Sequence, residues 1–130
     1  MYKILLTSLI LLFFTTTAEA RVCLPWAISE AIKANGGVSN YRILDWELSK
    51  GKAEGYYAEE TFKKLGIKYK KVKEITKFPV IVEVKAHAYT ITGELGKYWR
   101  VKDINCEDCL YLKSDVTKKH LFYYYIYAKN

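Results

Sequence analysis

"FPVIVEVKAHAYTITGELGKYWRVKD", residues 78–103, decides how the chain is read. Val80, Val82 and Val84 recur at every second position, the period of a strand with a buried face. His87 to Thr92 and Lys97 to Asp103 are two further runs rich in β-branched and aromatic residues, separated by "GELGK". A three-residue closure Glu94-Leu95-Gly96, with Gly96 left-handed, is a common hairpin loop. It pairs Gly93 with Lys97 and carries the ladder down to His87 opposite Asp103. Directly opposed residues hold their β-carbons about 4.5–5.5 Å apart on one face. A two-residue closure would oppose His87 to Lys102 instead, so the meeting of imidazole and carboxylate is conditional on the turn.

Outward from this hairpin the pattern stays extended on both sides. Phe78 to Lys85 reads as one strand, and Ile67 to Lys73 as an edge strand whose lysines discourage pairing with other chains. "LFYYYIYA", Leu121 to Ala128, is the last strand. Upstream the period changes to that of a helix. Ile28, Ala31 and Ile32 share a face in Pro25 to Ala34, with Pro25 suited to a first turn and Asn35-Gly36-Gly37 as the stop. Asn40 to Lys50 places Ile43, Leu44 and Leu48 on one side, with Asn40 as a cap. Gly51 and Gly55 bracket a turn, and Tyr57 to Leu65 is a third helix stopped by Gly66. Helices first and antiparallel strands after give an α+β fold, with N-terminal helices packed on an antiparallel sheet. No internal repeat, linker or low-complexity tract divides it.

Residues 1–20 read as an export signal: Lys3, then the apolar run Ile4 to Phe14, then the small-x-small site Ala18-Glu19-Ala20. The run is about eleven residues, too short to span a bilayer comfortably, and no later segment is long and apolar enough. The expectation is a secreted or periplasmic single domain over residues 21–130 with no transmembrane segment. Lys3 and Glu19 cancel on cleavage, so the net charge stays at +7. That balance suits an anionic envelope component as partner, with Lys63, Lys64, Lys68, Lys70, Lys71 and Lys73 as the densest basic group. Nucleic acid is not expected, because no binding motif accompanies the charge.

Three cysteines are an odd count for an oxidising compartment. Cys106 and Cys109 are spaced for a short-range disulfide, which would leave Cys23 its thiol; if Cys23 pairs with one of them instead, it has no chemistry. Val22 is branched where a lipoprotein signal needs a small residue. The Cys106-x-x-Cys109 run lacks both the strand–helix context of a redox pair and the partners of a zinc site, so no metal is expected. His120, beside two lysines, reads as a solvated surface residue.

A thiol becomes a nucleophile when it loses its proton, which a helix start and a neighbouring imidazole both favour. A carboxylate on that imidazole fixes its tautomer and steadies its charge. Cys23, His87 and Asp103 supply these three parts. The other reading of the same residues is a half-buried cysteine and an incidental strand histidine.

The order of these pieces resembles the papain-like peptidases that process bacteriocins by cutting double-glycine leader peptides. The likeness runs from Cys23 to about Ala128: the helix after Cys23, "LSKGKAEGYYAEETFKKLGIKYKKV", "FPVIVEV", "HAYTI", "WRVKD" and the closing "LFYYYIYA". It implies a papain-like fold, Cys23 as nucleophile, His87 as base, Asp103 as orienting residue, a peptide or protein substrate and no cofactor. Trp26, one turn from Cys23, is the candidate substrate-binding aromatic, although the bland reading of Trp26, Trp46 and Trp99 is core packing. The chain departs from the family in having Val22-Cys23-Leu24 for Asp-Cys-Gly, Ile104 where a proline is usual, and no glutamine to hold the oxyanion. Three functions follow as expectations. The first is a secreted thiol hydrolase, a peptidase or amidase. The second is a catalytically silent domain of the same fold that binds a peptide or envelope partner. The third is a basic, disulfide-stabilised protein that binds anionic surfaces.

Overall fold

The computed structural model describes residues 22–49 and 57–129. The signal-like segment, Arg21 and the Gly51–Gly55 turn lie outside them. The chain is helical over 22–34 (α1), so Cys23 lies inside the helix rather than just before it, and Pro25 lies within it as expected. Leu24, Ala27, Ile28, Ala31 and Ile32 form a stripe at helical spacing, and all are buried. Gly36, at φ 84°, turns the chain away after α1. The Asn35 amide then donates to the Ile126 carbonyl at 3.1 Å and ties the helix end to the sheet.

Helix α2 (Tyr41–Ser49) is capped as its sequence predicts: Asn40 Oδ1 accepts the Arg42 N–H at 2.9 Å. It buries Leu44 but leaves Ile43 and Trp46 exposed, which corrects both the packing face assigned to Ile43 and the core reading of Trp46. Helix α3 (Ala58–Leu65) buries Phe62 completely, and Gly66, at φ 67°, donates to the Lys63 and Phe62 carbonyls and closes it. Truncating Phe62 to alanine would cost about 3–5 kcal/mol.

Six strands follow: β1 (Ile67–Val72), β2 (Val80–Val84), β3 (His87–Leu95), β4 (Tyr98–Asp103), β5 (Cys106–Leu112) and β6 (Phe122–Lys129). A short helix, α4 (Lys113–Lys119), links β5 to β6. They form one antiparallel sheet in the order β1-β6-β2-β3-β4-β5, with β1 at an edge as expected. Alternation gives the sheet two buried faces. Ile81, Ala88, Tyr124 and Ile126 pack with α1 and Phe62, while Val80, Val82, Tyr89, Ile91, Val101 and Tyr123 form a second core with Val116 of α4.

The central hairpin closes differently from the sequence expectation. Leu95 faces Tyr98, so the loop is the two residues Gly96-Lys97, with Gly96 at φ 59° as a type II′ turn needs at its first central position. Gly93 then faces Arg100, a register that would put His87 and Asp103 on opposite faces. An irregularity between Ile91 and Gly93 takes up one residue, after which Thr90 faces Lys102. Tyr89 is thereby brought level with Asp103, and His87 becomes its diagonal neighbour on the same face, within reach of a long side chain. The two groups meet through a bulge, not through a three-residue turn.

Candidate active site

β3 begins immediately after the tight turn Lys85-Ala86, where Val84 pairs with His87. Ala86 sits at φ 59°, a left-handed conformation that costs an L-residue roughly 1–2 kcal/mol. This strained turn fixes His87 at the first position of its strand. Four residues along α1 from Cys23, the carbonyl of Ala27 accepts the fully buried Thr90 hydroxyl at 2.6 Å. That bond clamps α1 to β3 about one helical turn from the thiol. Cys23 is buried in the cluster that contains Ala88, the residue after His87.

The imidazole of His87 joins both groups. Its Nε2–H donates to the two oxygens of Asp103 at 2.9 and 3.0 Å, and the ring also hydrogen-bonds the Cys23 thiol. With Nε2 on the carboxylate, Nδ1 is the nitrogen left for the sulfur. The Asp103 side chain is only 3% exposed and that of His87 is 23% exposed. Cys23, His87 and Asp103, separated in sequence, therefore form one hydrogen-bonded chain.

Its electrostatics follow from the burial of the carboxylate. The hydrogen bond to Asp103, followed by that to Cys23, pushes the pKa of His87 up to about 9, against the downward pull of burial. Burial alone would push the Asp103 carboxyl up. Hydrogen bonds from His87, from the Asn105 N–H at 3.0 Å and from the Tyr111 hydroxyl at 2.7 Å outweigh it and hold the carboxyl below its ordinary value. At neutral pH the pair is an imidazolium and a carboxylate joined by charge-assisted bonds.

Tyr111 is the site residue that sequence reasoning missed. Burial and then the bond to Asp103 push its phenol up, so it remains a donor. It lies on β5, and neither β5 nor α4 is among the expected elements. The available signal was Tyr111 two positions after Cys109, in a stretch that reads as extended. Cys106 and Cys109 lie at disulfide distance, with Cα atoms 5.9 Å apart, and Cys23 keeps its thiol. Val101 faces Cys109 and Asp103 faces Cys106, so β5 carries one extra residue there. The disulfide staples that bulge between the two donors, Asn105 and Tyr111, that hold Asp103. His120 is half-buried and stacked on Tyr123, with ring centroids 3.9 Å apart, rather than solvated.

A cavity of about 490 Å³ opens beside His87 and Asp103, between the second sheet face and α4. Tyr89, Tyr98, Leu112 and Val116 contribute to its lining; Cys23 and Trp26 do not. Trp26 is half-buried on α1.

No family model and no curated protein matches the sequence. Among solved structures, the fold is similar to the peptidase domain of Streptococcus ComA, a bifunctional ABC transporter involved in quorum sensing. The TM-score is 0.66 at 22% identity, over 82% of this chain and 90% of that one. The chain has the papain-like α+β peptidase fold expected from its sequence.

Proposed function

We propose that this protein is a secreted or periplasmic thiol hydrolase, a peptidase or amidase, with Cys23 as nucleophile, His87 as proton carrier and Asp103 as the residue that orients His87. The observation that carries the reading is one imidazole bonded both to a thiol and to a 3%-exposed carboxylate. The proton given up by the thiol already resides on the imidazolium of His87, and the Cys23 sulfur attacks the substrate carbonyl carbon. As the tetrahedral intermediate collapses, the C–N bond breaks and His87 returns that proton to the departing amine. A thioester remains on Cys23 until water, deprotonated by His87, hydrolyses it and regenerates the thiol.

The backbone N–H of Cys23 supplies one oxyanion donor. With no glutamine in the chain, the second donor of the resembling family is missing, a loss of about 10²–10³-fold in turnover. That absence is what favours the second reading, a silent domain that binds a peptide. Export rests on residues 1–20, and the exposed lysines from Lys63 to Lys73 suit an anionic envelope surface. The test is cleavage of a mixed peptide library, followed by mass spectrometry. We expect slow cleavage that Cys23→Ala abolishes. Products that persist in Cys23→Ala would remove the nucleophile assignment. Retained peptide binding without cleavage would establish the silent domain.

A further inference from the structure

The cavity beside His87 has an orientation relative to the proposed chemistry. In the collapse step the acyl carbon is bonded to the Cys23 sulfur, while the nitrogen that departs must lie where His87 can give it a proton. Substrate on the acyl side therefore continues away from the sulfur, and substrate on the leaving side continues across the imidazole. The cavity is lined by His87 and not by Cys23. It belongs to the leaving side.

Its chemistry is apolar and aromatic. Val84 stands at the His87 end, Leu110 and Leu112 come from β5, and Val116 comes from α4, with Tyr89 and Tyr98 as ring surfaces. Asp115 and Lys119, exposed on α4, bring opposite charges to the lining, so it favours neither sign. An apolar cavity of about 150 Å³ is enough to bind benzene; this one, at 490 Å³, holds a phenyl ring with room for the adjoining main chain.

We infer that this cavity is a subsite for a bulky apolar or aromatic side chain on the residue that follows the scissile bond. The inference deepens the thiol-hydrolase reading and rests on it. Acyl transfer separates the two. An N-acylglycine thioester acylates Cys23, its thiol leaving with the proton from His87, and added amino acid amides then compete with water for the acyl group. Phenylalaninamide is expected to capture at least about tenfold more acyl group than glycinamide at equal concentration, as burial of one ring provides. Leu110→Trp, which fills the cavity mouth from a residue that is 48% exposed, is expected to bring that ratio towards one. In the resting protein, phenylalaninamide should shift the amide resonances of Tyr89, Leu112 and Val116, and glycinamide should not. Equal capture of the two amides, or ring-induced shifts that map elsewhere, overturns the subsite. A thioester that leaves Cys23 unmodified overturns the hydrolase reading instead, and the resonance shifts then decide the cavity by themselves.

Discussion

Replacing Asp103 with asparagine isolates the charge of the site from its shape. The asparagine carbonyl can take the place of Oδ1 and accept from His87 Nε2–H and the Asn105 N–H. Its amide nitrogen then occupies the Oδ2 position and donates to the Tyr111 oxygen. The bonds to Oδ1 keep their form, the 3.0 Å contact from His87 Nε2–H to Oδ2 is lost and the Tyr111 bond reverses its direction, and the negative charge that most strengthens the proton on His87 is gone. The pKa of His87 should fall from about 9 towards its ordinary 6.5. At 1.36 kcal/mol per unit, and discounting for solvent reaching a ring that is 23% exposed, the pairing is worth roughly 2–3 kcal/mol. At pH 8 the protonated fraction drops from about nine-tenths to about 3%, roughly thirtyfold. The sign for stability follows from the raised pKa. In the wild type the His87 contribution is fully present below about 6.5 and is lost as pH rises through about 9. In Asp103→Asn that alkaline loss disappears. The assay is an NMR titration of the imidazole Cε1–H. The chain has only two histidines, and His120→Gln assigns the other signal. A wild-type midpoint at or below about 7, or a midpoint unmoved by Asp103→Asn, would refute the reasoning.

Three further outcomes follow from the supports of the site. Tyr111→Phe removes a 2.7 Å bond to a buried carboxylate while keeping the ring, and should cost about 1–2 kcal/mol in urea unfolding without lowering the His87 midpoint. Ala86→Gly relieves the left-handed strain before His87; a gain of up to about 1 kcal/mol in the same measurement is expected, and a loss would contradict the strain assignment. Replacing both Cys106 and Cys109 by alanine opens a small covalent loop and should cost about 2 kcal/mol, with faster hydrogen exchange at the Asn105 N–H. Unchanged exchange there would separate the disulfide from the support of Asp103.

Much of the architecture was legible because its signals are local. Periodicity located three helices and five strands, and Asn40, Gly36 and Gly66 end or cap helices as their chemistry dictates. The hairpin register was not legible, since a bulge at Thr92 has no local signature in "YTITGEL". The expected meeting of His87 and Asp103 stands because the observed pairing keeps both on the same face of the sheet, although neither turn considered was the one formed. Helix α4 escaped because Lys113–Lys119 buries only Val116 and shows no apolar period. Tyr111 escaped with it, since its role depends on the β5 bulge that the disulfide closes. The thiol's neighbourhood was legible only in outline: the clamp from Thr90 to Ala27 joins residues 63 apart in sequence, and no pattern in either segment announces it.

The central claim is that His87, steadied by Asp103, activates the sulfur of Cys23. Its most direct test is the rate of Cys23 alkylation by iodoacetamide at pH 7, compared between the wild type and His87→Ala, with the adduct located by mass spectrometry. The account predicts rapid modification of Cys23 that slows at least about tenfold when the imidazole is removed. Equal rates in the two proteins would mean that the imidazole does not act on the sulfur, and would contradict it.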